Sequence, residues 1–411
     1  MIVQRILERI KLELLLLGKE KDKKEYLKLV HSDFYDADLS ERYEILNRYG
    51  QIHHFKKNNV WLITGFDIAE KILNDHYVFS SNDGVDPYMQ WDKHQVLLCA
   101  TPERHELIHS LVRDCFMIQK EDAFMQQFLD HLHELTSHLP KDTTVDFKIE
   151  VINPLVAYAI CYMAGFGAND SKLIIEKFKE YDLWQFNPWF LDHVRSLDLF
   201  SYAVASENKL IRVLQEAVRN RHLTEEEAFE LLSFVFLAGT ETVSSTMQRI
   251  FEKILTDKNI RYQLKEDQSL RAKFIEEIIR LHPVPRIPRR ATTDVDLEGV
   301  VIPKGAMVVT ELGAVNRDPV KFNSPEEFTF HTTRSRNLSF GAGIHKCIGM
   351  GIARTESRLF LDFFLDNETN IMIEQVKWMR LREFSPVNTE FMLVKKIVPD
   401  TAAGSTPRCP F

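Results

Sequence analysis

Cys347 lies in the run Phe340-Gly341-Ala342-Gly343-Ile344-His345-Lys346-Cys347-Ile348-Gly349, and a helix-like segment, Met350-Gly351-Ile352-Ala353-Arg354, follows directly. Glycines near a reactive atom let the backbone turn tightly and approach a ligand closely. A helix that begins just after a thiol favours the anion, because its N-terminus carries positive partial charge. A thiolate held in this way is a metal ligand. The plain structural alternative is a small buried residue in a Gly-rich turn, the commoner fate of a lone cysteine.

A second constellation lies on a helix. Thr224-Glu225-Glu226-Glu227 supplies an N-cap and an acidic first turn, and the spacing predicts one helix to Thr256. In its middle, Leu237-Ala238-Gly239-Thr240-Glu241-Thr242 follows the apolar Phe234-Val235-Phe236. Buried hydroxyls and carboxylates need partners. Gly239 costs roughly 1 kcal/mol there relative to Ala, and distortion inside a helix often marks a functional site. Three other groups carry charge. Glu277 and Arg280 are three apart on one helix face, a spacing that usually gives a surface ion pair. Arg289 and Arg290 point to opposite faces of a strand. His105 and His109 share a helix face at i, i+4, outside the zinc-protease pattern.

The elements that must position these groups are mostly helices. Helical periodicity runs to about Asn47, returns at Phe66–Leu73 and dominates again as far as Lys258. Strand-like material is confined to a hairpin at Ile52–Ile63, to Val295–Val301 and Met307–Thr310, and to the region near Phe391–Ile397. The fold class is therefore mainly α with small β-sheets. A loop at Ser80–Trp91 carries Tyr88, Met89 and Trp91. Tyr181–Phe200 concentrates Tyr181, Trp184, Phe186, Trp189, Phe190 and Phe200 around Pro188, where two helices meeting at an aromatic turn would cover an apolar cavity. Ordinary core is the alternative for both stretches. No repeat or linker divides the 411 residues, so a single domain is expected, with 1–30 as an N-terminal amphipathic helix and 400–411 as a tail. The net charge of −8 offers nothing for nucleic acid. The apolar run Leu14 to Leu17 is too short for a membrane span, and five scattered cysteines suit a reducing, cytoplasmic setting.

The cysteine run resembles the ligand loop of cytochromes P450, Phe-x-x-Gly-x-His-x-Cys-x-Gly, with every specified position filled. Ala238 to Thr242 resembles that family's oxygen-activation motif, Ala/Gly-Gly-x-Asp/Glu-Thr. Glu277 and Arg280 match its structural Glu-x-x-Arg pair. His105 and His109 resemble its His-x-x-x-Arg element, with His109 where arginine is usual and Phe116 in register. Asn316-Arg317-Asp318-Pro319 also fits.

The resemblance implies a cytochrome P450 fold and a haem-thiolate monooxygenase. Such an enzyme inserts one atom of O2 into an apolar organic small molecule, here in secondary metabolism. It implies heme b (iron protoporphyrin IX) with Cys347 as the iron ligand, and Phe340, Gly341, Gly349 and Ala353 beside it. Ala238 and Gly239 would lie against the haem, Gly239 leaving room for dioxygen. Arg289, His105, His109 and His345 would surround the propionates. Thr242 and Glu241 form the catalytic pair, a hydroxyl and an acid that together deliver protons. The segment Val284 to Pro288 would border the substrate cavity.

Two other readings use the same haem. A peroxide-driven haem-thiolate peroxygenase would not need the acid–threonine relay, and a haem sensor would bind without turnover. The chain carries no flavin or iron–sulfur motif. Electrons would then come from a separate ferredoxin or flavodoxin and an NAD(P)H-dependent reductase, docking on a basic patch with Lys346, Arg104 and Arg113. A monomer is expected.

Overall fold

The computed structural model describes residues 21–32, 34, 39, 42–82, 97–180, 183–199, 202–204, 209–283, 286–331, 336–367, 370–380 and 387–397. The chain forms two compact units, each assembled from separate segments: Met1–Leu111, Glu276–Ile348 and Arg382–Pro386 in the first, and the remainder in the second. The described strands are β1 (Ile52–Phe55), β2 (Val60–Ile63), β3 (Phe79–Ser80), β4 (Thr144–Asp146), β5 (Arg286–Ala291), β6 (Val295–Leu297), β7 (Val300–Ile302), β8 (Met307–Glu311), β9 (Ile371–Arg380) and β10 (Val387–Lys396).

In the first unit, Ile52–Ile63 folds as the expected hairpin, pairing Ile52 with Ile63 and Phe55 with Val60. Asn59 takes the left-handed conformation at its turn (φ 54°), which Asn tolerates better than most residues. The hairpin leads a five-stranded sheet of order β1-β2-β8-β5-β3. Successive side chains of a strand point to opposite faces. Leu62 and Val309 therefore join one core with Phe34, Leu46 and Phe55, while their neighbours Ile63 and Val308 join another. That second core includes Phe66, Ile72, Leu338 and Ala342, so the chain entering the cysteine run is anchored to the sheet.

His53 is 1% exposed in this unit. Its Nδ1 meets Tyr26 Oη at 3.1 Å and its Nε2 meets Thr64 Oγ1 at 3.1 Å, which the neutral ring satisfies. Burial pushes its pKa down to about 4. The unfolded chain binds this proton at the ordinary value of about 6.5 and the folded chain only near 4, so stability falls as pH drops between those values. We expect His53 alone to cost about 2 kcal/mol at pH 5 relative to pH 7.5. Urea unfolding at the two pH values would check this, and a His53→Phe variant should flatten the difference.

The second unit is built on the helix Glu225–Thr256, which runs without a break through Gly239–Thr242, so the anticipated distortion there is not seen. Thr224 caps it as expected: Glu227 N donates to Thr224 Oγ1 (3.2 Å) and Thr224 N donates to Glu227 Oε2 (2.7 Å). Helices Asn153–Ala164, Leu183–Ser196 and Met350–Asp366 pack against it, with the sheet β4-β10-β9. Phe251 stacks on Phe147 (centroids 3.9 Å) and meets Phe364 edge-on (4.9 Å).

Two expectations are corrected in this unit. Pro188 lies inside one helix, Leu183–Ser196, and not at a junction of two. The missing N–H removes one hydrogen bond, and burial of Phe190 and Val194 holds the helix together. Strand β9 was not expected, because Ile371–Arg380 (IMIEQVKWMR) alternates poorly. Its partner β10 supplies the pairing. The stretches 1–20 and 398–411, the side chains of Trp184 and Phe186, and Tyr88, Met89, Trp91 and Val284 lie outside the described residues. Among the described residues, no helix is long and apolar enough to cross a membrane.

Candidate active site

The cysteine run is a closed loop in the first unit. Cys347 N donates to Phe340 O (2.9 Å), Gly341 N to Leu338 O (2.8 Å) and Lys346 N to Gly343 O (3.2 Å). Gly341 and Gly343 take φ of 68° and 69°, a region that strains any other residue. A Cβ on Gly343 would lie 2.2 Å from the carbonyl oxygen of Leu73, whereas one on Gly341 would meet nothing nearer than Ile287 Cδ1 at 3.6 Å. Gly341→Ala should cost about 1–2 kcal/mol, the left-handed penalty alone. Gly343→Ala should cost distinctly more, because backbone must move. Urea unfolding and haem content of the two variants would separate these effects. Cys347 is exposed, whereas Cys99, Cys115 and Cys161 are buried. Burial pushes the Cys115 thiol up to about 12 and raises Cys161 as well, so neither is suited to ligation. Cys347 precedes Gly349, the N-cap of helix Met350–Asp366, and Ala353 N donates back to Gly349 O at 2.9 Å.

The loop is braced from behind. Arg280 is 1% exposed and grips Glu277 through two bonds, Nε to Oε2 at 2.7 Å and Nη2 to Oε1 at 2.8 Å. Its Nη1 donates to the carbonyls of Asn316 (2.8 Å) and Pro325 (2.9 Å). Asn316 in turn holds Ser339 Oγ (2.9 Å) and the N–H of Leu338 (2.9 Å), immediately before Phe340. The pair is buried and structural, not the surface pair its spacing alone suggests.

Arg289 and a group of histidines gather in the same unit. Arg289 is 3% exposed and faces inward, while Arg290 turns the other way and donates to Gly305 O. Arg289 Nη1 donates to Pro288 O at 2.8 Å, and no described carboxylate lies within ion-pair distance of it. Burial lowers its pKa to about 10, with Cys99 opposing. A buried cation without an anion is costly. The site therefore fits an anionic group such as a haem propionate. The His105 ring lies 4.6 Å from His345, edge-on, and 5.5 Å from His109, stacked. Burial, then His109 and His76, push His105 down to about 4. His345 Nδ1 meets Leu97 O (3.1 Å) and its Nε2 meets Ser81 Oγ (2.8 Å), so both ring nitrogens are engaged. Burial first, then Arg289, hold it near 3. His76 belongs to this group and was missed, because a lone histidine just beyond a helix end carries no sequence signal.

The remaining candidates lie in the second unit. Ala238 is exposed and Gly239 and Thr242 are half-exposed, while Phe236, Leu237, Thr240 and Val243 are buried. This helix thus has one accessible face at the expected residues. Thr242 Oγ1 donates to Ala238 O at 2.7 Å. A Cβ on Gly239 would lie 2.4 Å from Ile160 Cδ1, so the glycine admits a neighbouring helix. Phe236 is fully buried between Phe178 and Phe190 (centroids 5.6 and 4.7 Å), which makes it core and not cavity wall. Phe116 is buried as well.

Residues 200–384 match the family model for cytochrome P450. Cytochrome P450 109 of Bacillus spizizenii is 25% identical over 341 residues, covering 79% of this chain and 82% of that protein. The polyketide biosynthesis cytochrome P450 PksS of Bacillus subtilis is 24% identical, covering 84% and 90%. Among solved structures, HmtN, a post-tailoring hydroxylase involved in himastatin biosynthesis, matches with a TM-score of 0.75 at 23% identity, over 86% of this chain and 97% of that one. CxnD, for C–S bond formation in chuangxinmycin biosynthesis, matches with a TM-score of 0.76 at 20% identity, over 89% and 97%. The family model, the bacterial relatives and the shared fold together support a bacterial-type cytochrome P450, a family of haem-iron monooxygenases.

Proposed function

We propose that this protein binds heme b through the Cys347 thiolate and inserts one atom of dioxygen into an apolar organic small molecule in secondary metabolism. The observation that carries the reading is an exposed cysteine on a loop held by left-handed glycines and a buried Glu277–Arg280 brace. Bound haem supplies the redox chemistry that activates oxygen. The chain supplies the rest. Arg289, with His105 and His109, would hold the propionates, and His345, already satisfied by Ser81 and Leu97, would pack that group in place. Phe340, Gly341, Gly349 and Ala353 would line the ligand loop, and Ala238 and Gly239 the accessible helix face. Thr242 would hold a proton at its hydroxyl and Glu241 would deliver it. The biosynthetic roles of PksS, HmtN and CxnD support a place in secondary metabolism.

Protein loaded with haem should consume NAD(P)H and form an oxygenated product when a ferredoxin or flavodoxin and its reductase are supplied in a cytoplasm-like buffer. Peroxide-driven oxygenation that survives loss of Thr242, with no turnover when the electron-transfer partners are supplied, would contradict the reading. Lys346 is exposed beside the cysteine, while Arg113 pairs with Asp114 at 3.4 Å. Lys346→Glu should therefore lower partner-supported turnover severalfold at low ionic strength and weaken its dependence on salt. An unchanged rate would rule out docking at that face.

A further inference from the structure

The slot at Gly239 is filled from within the second unit. A Cβ there would lie 2.4 Å from Ile160 Cδ1 and 3.2 Å from Ile160 Cγ1. Ile160 thus occupies the place where any other residue of the long helix would put its side chain. It is 4% exposed, and an isoleucine in a helix has one strongly preferred χ1 rotamer. Close packing leaves the end of such a side chain little space to turn aside.

The helix that carries Ile160, Asn153–Ala164, is held at both ends. At its start, Ser244 Oγ of the long helix donates to Asn153 Oδ1 (3.2 Å) and accepts from Gln248 Nε2 (2.8 Å). At its end, Gly165 forms a left-handed cap (φ 87°), and its N–H donates to Cys161 O (3.0 Å). A Cβ on Gly165 would lie 2.6 Å from Lys209 Cβ and 2.8 Å from Val204 Cγ1, so a later segment closes over that end. Ile160 lies seven residues past Asn153, about 10.5 Å along its axis, and Gly239 five before Ser244, about 7.5 Å. The two helices therefore run in opposite directions and touch at one polar and one apolar point. With the shorter helix pinned at Asn153 and Gly165, the apolar point sets how near the backbone at Gly239 comes.

We propose that Ile160 is a positioning residue for Thr242: it is the stop that fixes the turn 238–242, and the room at Gly239 belongs to it and not to dioxygen. The inference rests on the reading of Thr242 as the hydroxyl that holds a proton. Thr242 Oγ1 donates to Ala238 O at 2.7 Å, and that carbonyl joins directly to Gly239 N. The atom that orients the hydroxyl is thus one bond from the backbone that Ile160 touches. A methyl added at Gly239 overpacks this contact, and overpacking is relieved by backbone shifts. The carbonyl of Ala238 moves with that backbone, and the Thr242 hydroxyl follows it.

The test moves one methyl from one helix to the other. Gly239→Ala adds a carbon where Ile160→Val removes the one in its way, so the double variant conserves the packed volume. Methyl NMR of the haem-loaded protein, reduced and bound to carbon monoxide, follows the Thr242 methyl, identified by the loss of its signal in Thr242→Ser. Gly239→Ala should displace that signal by more than its linewidth. It should also lower the product formed per NAD(P)H consumed about tenfold, since misplacing a group near the chemistry by a fraction of an ångström is costly. The double variant should return the signal to its wild-type position and the product ratio to within about twofold of wild type, the non-additivity expected of residues in contact. A local effect of the alanine, or a methyl standing where dioxygen must go, would persist in the double variant, so failure of either readout to recover overturns the proposal. A Thr242 signal that Gly239→Ala leaves in place overturns it as well. Ile160→Val alone serves if Gly239→Ala does not fold: with the stop withdrawn the signal should move, and a signal at its wild-type position overturns the proposal. The NMR comparison needs no turnover, so its outcome is separable from failure of the monooxygenase reading, which would show as absence of product from the wild-type protein.

Discussion

Glu277→Ala is expected to yield protein that no longer retains haem and unfolds at markedly lower urea concentration. The substitution touches neither the cysteine nor its loop. It strips Arg280, 1% exposed, of the carboxylate that takes two of its hydrogen bonds. Breaking a buried pair by removing one partner costs about 3–5 kcal/mol, because the remaining charge stays uncompensated. That is a large share of the 5–15 kcal/mol typical of a folded domain. The damage is directional, since Arg280 holds the Asn316 carbonyl and Asn316 holds Leu338 and Ser339 at the entrance to the loop. Replacing both partners with apolar residues, Glu277→Leu with Arg280→Met, should recover stability but not haem retention. Wild-type haem content in Glu277→Ala would show that the brace does not serve the loop.

Cys347→Ala and Cys347→His should both abolish oxygenation with reductase partners, for different reasons. Alanine removes the ligand altogether. Histidine offers a neutral nitrogen that binds iron without the electron push of a thiolate. Neither should cost much stability, because the side chain is exposed and the backbone bond from Cys347 N to Phe340 O survives substitution. Activity should therefore vanish while the free energy of urea unfolding stays within about 0.5 kcal/mol of wild type, the usual range for surface substitutions. Product formation by Cys347→His at a rate near wild type would contradict the assignment.

The cysteine loop and the helix 225–256 were legible in the sequence because local rules specify them. Gly341 and Gly343 are demanded by left-handed turns, and Thr224 with Glu227 forms a capping box read directly from residue type. What was hidden depends on distant partners. The packing need for Gly239 is a side chain on another helix, Ile160. His76 joins His105 and His345 through tertiary packing, with nothing in its own segment to mark it. Pro188 reads as a break, but its helix is held by residues it buries. The same holds for the aromatic residues near Phe236, whose spacing cannot separate core from cavity wall; the structure places Phe236 in the core.

The central claim is that Cys347 binds haem iron as a thiolate, and the most direct measurement is the reduced carbon monoxide difference spectrum of the haem-loaded protein. The account predicts the red-shifted Soret band of thiolate ligation in the wild type and its loss in Cys347→His. A band characteristic of histidine ligation in the wild-type protein, or a thiolate band that survives the loss of Cys347, would contradict it.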